Sequence, residues 1–202
     1  MRVYGDLRSG NCLKVKYTAD YLGLAYEWVD VDITRDETRM PEFLRRAPMG
    51  QVPVVEFEDG RCLSQSNAII RYLARGSRLL PQDAFLAAKV DELLFWEQYS
   101  HEPYIATTRY HIVYLGRGLD QRETWRVERG EKALDFMETW LKDRFWFVAE
   151  IFTIADIALL AYTRLAHEGG FDLTTRLRIR DWIARCERQL GMAPASGVSS
   201  IA

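Results

Sequence analysis

The fold is decided by residues 52–63, which read VPVVEFEDGRCL. Residues 52–57 are rich in Val and are typical of a β-strand, while Glu58, Asp59 and Gly60 predict a tight turn. Residues 61–63 can then return beside the first strand. The stretch therefore predicts an antiparallel β-hairpin, and the neighbouring elements follow outward from it.

The residues before the hairpin predict two strands and two helices. Residues 2–4 form a short apolar run, and residues 26–33 alternate and are rich in Val and Ile, as strands are. Residues 41–46 can form one or two helical turns. A longer helix is predicted to begin at Asn11 and to end at Gly23. Its apolar residues at helical spacing are Cys12, Val15, Ala19 and Leu22.

The residues after the hairpin predict a third helix, a linker and then helices only. Residues 64–66 supply side chains that can cap a helix, which ends by Gly76. The first domain, residues 1–76, thus has the order βαβαββα and a mixed four-stranded sheet. Residues 76–83 show no hydrophobic periodicity, which predicts a linker between the two domains.

Residues 84–202 predict an all-α helical-bundle domain, so the fold class is α+β. Apolar periodicity marks several helices, and the first of them begins at Leu93. Thr153 and Asp156 are spaced to cap a helix start reciprocally. Residues 193–202 are small and polar and predict a loose tail.

Composition and charge exclude several classes of function. The chain has 202 residues, and 27 basic against 29 acidic side chains give a net charge of -2. No long-range field would attract nucleic acid or an anionic membrane, and no apolar run can span a bilayer. The three cysteines are widely separated, which argues against disulfides and zinc. We expect a cytoplasmic protein with no bound metal.

Arginine and glutamate alternate between residues 122 and 131. The helical spacing predicts an ion-paired, solvated face formed by Arg122, Arg126 and Arg129 with Glu123, Glu128 and Glu131. A small-molecule or protein partner is favoured over an acidic polymer.

The order βαβαββα resembles the thioredoxin fold, whose reactive residue lies at the N-terminus of the first helix. There this chain reads Ser9-Gly10-Asn11-Cys12, with serine in place of the first cysteine of a redox Cys-x-x-Cys motif. A hydroxyl cannot form a mixed disulfide, but it can donate a hydrogen bond to a bound thiolate and lower the pKa of that thiol. Ser9 is therefore the first candidate catalytic residue.

Other interpretations of this helix start stay open. Ser9 can be a plain helix cap, and Asn11 can either orient the thiolate or cap the helix. Cys12 shares the apolar face with Val15 and Ala19, which favours a buried structural thiol. An active Cys12 would instead imply disulfide reductase chemistry.

Two further segments suit a short acidic peptide as ligand. A cis bond before Pro53 would leave the backbone of Val52 free to pair with an extended ligand, and Gln51 can add a side-chain contact. Gln65 and Ser66 lie at a helix start, where amides and a hydroxyl can hold a carboxylate. An edge-strand role for Pro53 and a capping role for Ser66 are the simpler alternatives.

Together these motifs resemble the glutathione transferase superfamily over nearly the whole chain. The matching stretches are residues 9–15 (SGNCLKV), 41–44 (PEFL), 50–54 (GQVPV), 65–69 (QSNAI), 72–74 (YLA) and 152–158 (FTIADIA). The resemblance implies a homodimer in which the first domain binds glutathione and an apolar pocket against the second domain holds a small electrophile.

The resemblance also implies residue roles. Ser9, or Asn11 in its place, would activate the thiolate of glutathione for attack on small, mostly hydrophobic electrophiles. Glutathione, a co-substrate, would be bound by Ser9, Gln51, Val52, Pro53, Gln65 and Ser66. We expect Tyr104 and Thr108 in the second-substrate pocket, and no tightly bound cofactor.

Two departures from the family pattern keep other functions open. The usual Glu-Ser pair is Gln65-Ser66 here, and the usual Asn-Pro is Ala47-Pro48. Gln65 lacks the charge that would meet the γ-glutamyl ammonium group. The alternatives are a catalytically weak binding or assembly module with the same fold, and a glutathione-dependent isomerase or dehalogenase that uses the same thiolate.

Overall fold

The computed structural model describes residues 1–194 and divides the chain into two compact units. The first unit is Met1–Leu80, and the second begins at Pro81. The predicted tail, residues 193–202, lies almost entirely outside the described residues.

The first unit contains a four-stranded mixed sheet with the strand order β2-β1-β3-β4. Its strands are β1 (Arg2–Gly5), β2 (Glu27–Asp30), β3 (Val54–Glu56) and β4 (Cys62–Ser64). Strand β2 runs parallel to β1, whereas β3 is antiparallel to both of its neighbours. The predicted hairpin and the predicted mixed sheet are confirmed.

Strand β2 is shorter than the sequence predicted. A strand was expected over residues 26–33, but after Asp30 the chain forms two 3-10 turns, Ile33–Arg35 and Glu37–Arg39. The Asp32 carboxylate accepts a hydrogen bond from the Thr34 amide at 2.8 Å. This local bond favours a turn over the strand ladder, which the Val and Ile content alone did not reveal.

Helices lie on both faces of this sheet. They are α1 (Gly10–Tyr21), α2 (Pro41–Arg46) and α3 (Ser66–Leu73), and α1 packs against α3. Phe43 of α2 joins Tyr4 and Val54 in one buried cluster. Successive residues of a strand face opposite sides of the sheet, so Gly5 faces the side opposite to Tyr4. On that side Gly5 lies against Cys12 of α1.

The second unit is helical, as predicted. Its helices are α4 (Ala84–Trp96), α5 (Glu102–Val113), α6 (Thr124–Trp140), α7 (Ile154–Thr163) and α8 (Leu177–Gln189). The first helix begins at Ala84 and not at Leu93, because the Asp83 carboxylate caps it by accepting a hydrogen bond from the Leu86 amide at 2.8 Å. One π-helical turn, Glu97–His101, separates α4 from α5.

Helix α7 is the most buried element of the second unit, because all of its residues are buried. The predicted capping pair is confirmed at its start. Asp156, which is 0% exposed, accepts hydrogen bonds from the Thr153 amide and hydroxyl, the Phe147 amide and the Trp182 indole. Burial raises the pKa of Asp156 to about 6, and these hydrogen bonds oppose that rise. One carboxylate thus ties the start of α7 to α8.

We expect Asp156→Asn to lower the free energy of unfolding by about 2–4 kcal/mol. Both carboxylate oxygens of Asp156 accept hydrogen bonds, whereas the NH2 group of an asparagine would face buried donors. Urea denaturation followed by circular dichroism measures this change. Asp143→Asn, at an exposed carboxylate of the same unit, serves as the control and should change stability by less than about 0.5 kcal/mol. Equal effects of the two substitutions would contradict the structural role of Asp156.

Candidate active site

Ser9 stands immediately before α1, in the N-cap position. Its backbone is extended, with φ -84° and ψ 121°, and its side chain makes no capping hydrogen bond to the helix. The Ser9 side chain lies near the Cys12 sulfur and acts to lower the pKa of that thiol. Because the helix does not use this hydroxyl, Ser9 occupies the cap position without acting as a side-chain cap.

Cys12 is a buried thiol, as its place on the apolar face predicted. Its side chain is 0% exposed, and its sulfur accepts a hydrogen bond from the Asp6 amide at 3.4 Å. Burial raises the pKa of Cys12 to about 12, although the Asp6 amide and the Ser9 side chain act to lower it. Cys12 therefore stays protonated at neutral pH and is a poor nucleophile.

Asn11 and Ser66 join the N-termini of α1 and α3. The Ser66 hydroxyl donates a hydrogen bond to the Asn11 amide oxygen at 3.0 Å. Neither residue caps its own helix, because the N-cap residues are Ser9 and Gln65. The capping interpretations of Asn11 and Ser66 are therefore wrong: both side chains serve a contact between helices that sequence spacing does not show.

The peptide bond between Val52 and Pro53 is cis. Strand β3 starts at Val54, which pairs with Tyr4, so Val52 precedes the ladder between β1 and β3. Pro53 is buried and Val52 is half-buried. The backbone at Val52 thus lies at the end of the strand, where an extended ligand can pair with it.

Gln51 and Gln65 form one polar rim beside this segment. The Gln65 amide nitrogen lies 3.4 Å from the Gln51 side-chain oxygen and 3.5 Å from the Met49 sulfur. Gln65 adopts a positive φ of 72°, which is uncommon outside glycine, and both glutamines are exposed. No sequence pattern indicated Met49, because its contact with Gln65 depends on this unusual backbone conformation.

Arg39 is a second neighbour that sequence reasoning missed. A Cβ placed on Gly50 would lie 2.6 Å from a guanidinium nitrogen of Arg39, and Gly50 has a positive φ of 62°. The positive φ favours glycine there, and a larger residue would also have to displace the Arg39 guanidinium. An exposed cation therefore lies next to the Gln51–Val52 segment.

The first unit thus collects two helix N-termini, an exposed strand end, two amide side chains and a cation. Helix N-termini hold anions through their free amides and partial positive charge, and a hydroxyl at such a place can donate to a thiolate. This set of groups suits a short peptide that carries carboxylates and a thiol.

Tyr104 and Thr108 lie on α5 in the second unit. The Thr108 hydroxyl donates to the Tyr104 carbonyl at 2.6 Å, and Thr108 is only 3% exposed. The Tyr104 hydroxyl accepts a hydrogen bond from Arg129 at 2.9 Å. The Tyr104 side chain therefore reaches the surface of the unit, whereas Thr108 is buried.

Residues 1–194 contain neither a cluster of side chains suited to a metal ion nor a helix suited to crossing a membrane. No group of three or more His, Cys, Asp and Glu side chains there is arranged to hold a metal ion. Within the same residues, no helix combines the length and the apolar character needed to cross a bilayer.

Comparison with known proteins gives consistent matches. Residues 1–75 match the glutathione S-transferase N-terminal domain, and residues 122–189 match the glutathione S-transferase C-terminal domain. A glutathione S-transferase-like protein of Fusarium, LUC7, is 32% identical over 163 residues, which cover 77% of this chain and 73% of that protein.

Solved structures extend the match to nearly the full length. A glutathione S-transferase from Pseudomonas fluorescens Pf-5 is 45% identical, covers 98% of each chain and superposes with a TM-score of 0.89. A glutathione transferase homologue from Drosophila mojavensis, solved with bound glutathione, is 26% identical with a TM-score of 0.83, over 93% of this chain and 87% of that chain. The domain models and these relatives together show that the chain is an enzyme of the glutathione S-transferase family.

Proposed function

We propose that the chain transfers the thiolate of glutathione to small, mostly hydrophobic electrophiles, and that the Ser9 hydroxyl stabilises this thiolate. The observation that carries the proposal is the position of Ser9 at the α1 N-terminus with a hydroxyl that no helix amide uses. Lowering the pKa of the thiol by about 2 units would raise the reactive fraction at neutral pH more than tenfold.

The contact between Ser9 and Cys12 is compatible with this role. In the free protein the hydroxyl meets a neutral thiol whose pKa is about 12. When glutathione binds, the hydroxyl can donate a hydrogen bond to the ionised sulfur, and a charge-assisted bond of this kind is roughly twice as strong as a neutral one.

Asn11 is the less suitable activator. Its amide oxygen already accepts the Ser66 hydroxyl at 3.0 Å, which fixes the orientation of the side chain. We infer that Asn11 positions the two helix N-termini and that Ser9 meets the sulfur.

The remaining residues match the parts of glutathione. The α3 N-terminus and Ser66 suit the γ-glutamyl carboxylate, and the backbone of Val52 before Pro53 suits the cysteinyl amide and carbonyl. We infer that Gln51 and Gln65, which lie side by side, contact the γ-glutamyl end, and that Arg39 beside Gly50 meets the second carboxylate. The glutathione-bound relative from Drosophila mojavensis supports this choice of ligand.

Further features of the proposal rest on the family. We infer a cytoplasmic homodimer in which residues 1–76 bind glutathione and residues 84–202 bind the electrophile, with Tyr104 and Thr108 toward that substrate. The free thiols of Cys12, Cys62 and Cys186 fit a reducing compartment. No tightly bound cofactor is proposed, because the glutathione thiolate is itself the nucleophile.

A binding or assembly module is the second candidate, and one observation favours it. The rim of the site carries the neutral amides of Gln51 and Gln65, so no carboxylate of this pair meets the ammonium group of glutathione. A glutathione-dependent isomerase or dehalogenase would use the same thiolate and differs only in its second substrate.

We expect Ser9→Ala to lower kcat/KM for glutathione with an aryl halide by about 10- to 100-fold, because a charge-assisted hydrogen bond to the thiolate is lost. The pH dependence of the ultraviolet thiolate absorbance should show that the pKa of bound glutathione rises toward its solution value. Asn11→Ala is the comparison variant and should leave that pKa nearer to the wild-type value.

Two outcomes would decide against Ser9. If Asn11→Ala alone restores the solution pKa of the thiol, Asn11 is the activator. If wild-type protein binds glutathione with an unshifted thiol pKa and turns over no electrophile, the chain is a binding module.

We expect Gln65→Glu to lower the KM for glutathione by about two- to fivefold with little change in kcat, because an exposed carboxylate gains a modest attraction to the γ-glutamyl ammonium group. Steady-state kinetics at low and high salt measure this effect, which salt should weaken. Gln82→Glu adds the same charge at an exposed position of the second unit and should leave KM unchanged. An unchanged KM in Gln65→Glu would place Gln65 away from the ammonium group.

A further inference from the structure

Lys14 of α1 is a fully buried lysine. It lies in the second turn of the helix, and its side chain is 0% exposed. Lysine is almost never buried to this extent unless its ammonium group has a partner, because the group loses its hydration when it is buried. The mechanism proposed above gives Lys14 no role, so its burial needs another explanation.

The ammonium group of Lys14 binds the neighbouring helix. Its nitrogen donates a hydrogen bond to the side-chain oxygen of Asn67 at 3.3 Å. Asn67 is the second residue of α3 and directly follows Ser66, whose hydroxyl donates to the Asn11 amide oxygen at 3.0 Å. Asn11 and Lys14 are three residues apart on α1, so both lie on the face that meets α3. Two hydrogen bonds, made by residues one turn apart, therefore join α1 to the first turn of α3.

The start of α3 is suited to an anion. Its N-cap residue, Gln65, makes no side-chain capping bond, and its first turn contains no acidic residue. The first amides of a helix have no partner within the helix and carry a partial positive charge. Long side chains of a helix lean toward its N-terminus, so the ammonium group of Lys14 extends back toward this junction. Its positive charge thus lies beside the first turn of α3, at Asn67.

We propose that Lys14 is a positioning residue for glutathione, which acts through Asn67 on the first turn of α3 and so strengthens binding of the γ-glutamyl carboxylate. This inference rests on the proposed function, because it takes glutathione as the ligand of that helix start. It assigns Lys14 to the binding of glutathione, whereas stabilisation of the thiolate stays with Ser9.

The chemistry of lysine explains why this residue suits the position. An ammonium group donates hydrogen bonds and accepts none, so it holds the side-chain oxygen of Asn67 toward α1. Its charge also favours an anion at the helix start, whereas a carboxylate in the same place would repel one. Methionine is an unbranched side chain of similar size that neither carries charge nor donates a hydrogen bond. Lys14→Met therefore removes both properties and keeps most of the packing.

The simpler alternative is that Lys14 only stabilises the contact between α1 and α3. Loss of the ammonium group would then weaken every ligand of the site to the same degree. The proposal instead requires that the loss depend on the γ-glutamyl carboxylate. A pair of ligands that differ only in this carboxylate separates the two roles.

Isothermal titration of the full chain uses such a pair: S-methylglutathione, and its analogue in which 4-aminobutanoate replaces the γ-glutamyl residue. We expect Lys14→Met to weaken binding of S-methylglutathione about five- to tenfold, and binding of the analogue less than about twofold. The same variant should raise the KM for glutathione by a similar factor and leave both kcat and the pKa of the bound thiol near their wild-type values. Lys16→Met is the matched control on the same helix, because Lys16 pairs with Asp20, and it should bind both ligands as wild type does.

Asn67→Ala provides a second variant, which removes the acceptor and keeps the ammonium group. It should weaken binding of S-methylglutathione about two- to fivefold. The double variant should bind no more weakly than Lys14→Met alone, because both substitutions remove the same interaction. Thermal denaturation checks the folding of each variant, and Asn67→Ala decides the question if Lys14→Met does not fold.

Several results would overturn the inference. These are an equal loss of both ligands in Lys14→Met, the same loss in Lys16→Met, and unchanged binding of S-methylglutathione in folded Lys14→Met or in Asn67→Ala. Wild-type protein that fails to bind S-methylglutathione would overturn the proposed function as well. Wild-type binding that Lys14→Met leaves unchanged would overturn this inference alone.

Discussion

The hydrogen bond from the Ser66 hydroxyl to the Asn11 amide oxygen joins two helix N-termini, and the candidate active site depends on that junction. Each helix start alone offers a few free amides and a partial positive charge. When the two helix starts lie together, a hydroxyl that can donate to a thiolate lies near backbone amides that can bind a carboxylate. Ser66 makes this contact from the first residue of α3. Gln65 precedes it in the cap position, with a positive φ, and its amide nitrogen lies near Gln51 and Met49.

A second polar residue has the corresponding role in the helical unit. Asp156 accepts hydrogen bonds from both the start of α7 and the Trp182 indole, in a position with no solvent exposure. A buried carboxylate is tolerated only where donors surround it, so its surroundings must be held in one arrangement. In each unit, therefore, a short polar side chain at the start of one helix forms a hydrogen bond that fixes the position of another helix.

The arginines of α6 show how tertiary contacts override local spacing. Intervals of three and four residues made ion pairs with neighbouring glutamates the expected outcome, but surface ion pairs contribute little and are easily replaced. Arg122 donates to the partly buried carbonyls of Gly169 and Gly170. Arg129 contacts the Tyr104 hydroxyl and lies near two aromatic rings. Among the described residues, only the pair between Arg126 and Glu123 forms as the spacing predicted.

The sequence by itself determined the order of elements, the hairpin after Pro53, the capped start of α7 and the identity of Ser9, Gln51, Val52, Gln65 and Ser66 as site candidates. These features follow from local patterns, because turn residues, capping pairs and apolar periods act over a few positions. Only the tertiary structure decided that Asn11 bonds Ser66, that Arg39 lies against Gly50, that β2 ends at Asp30 and that α4 begins at Ala84. Contacts between residues far apart in sequence, and turns fixed by a single side-chain hydrogen bond, leave no periodic signal. Which of two possible partners a polar side chain takes is settled by burial and geometry after the chain has folded.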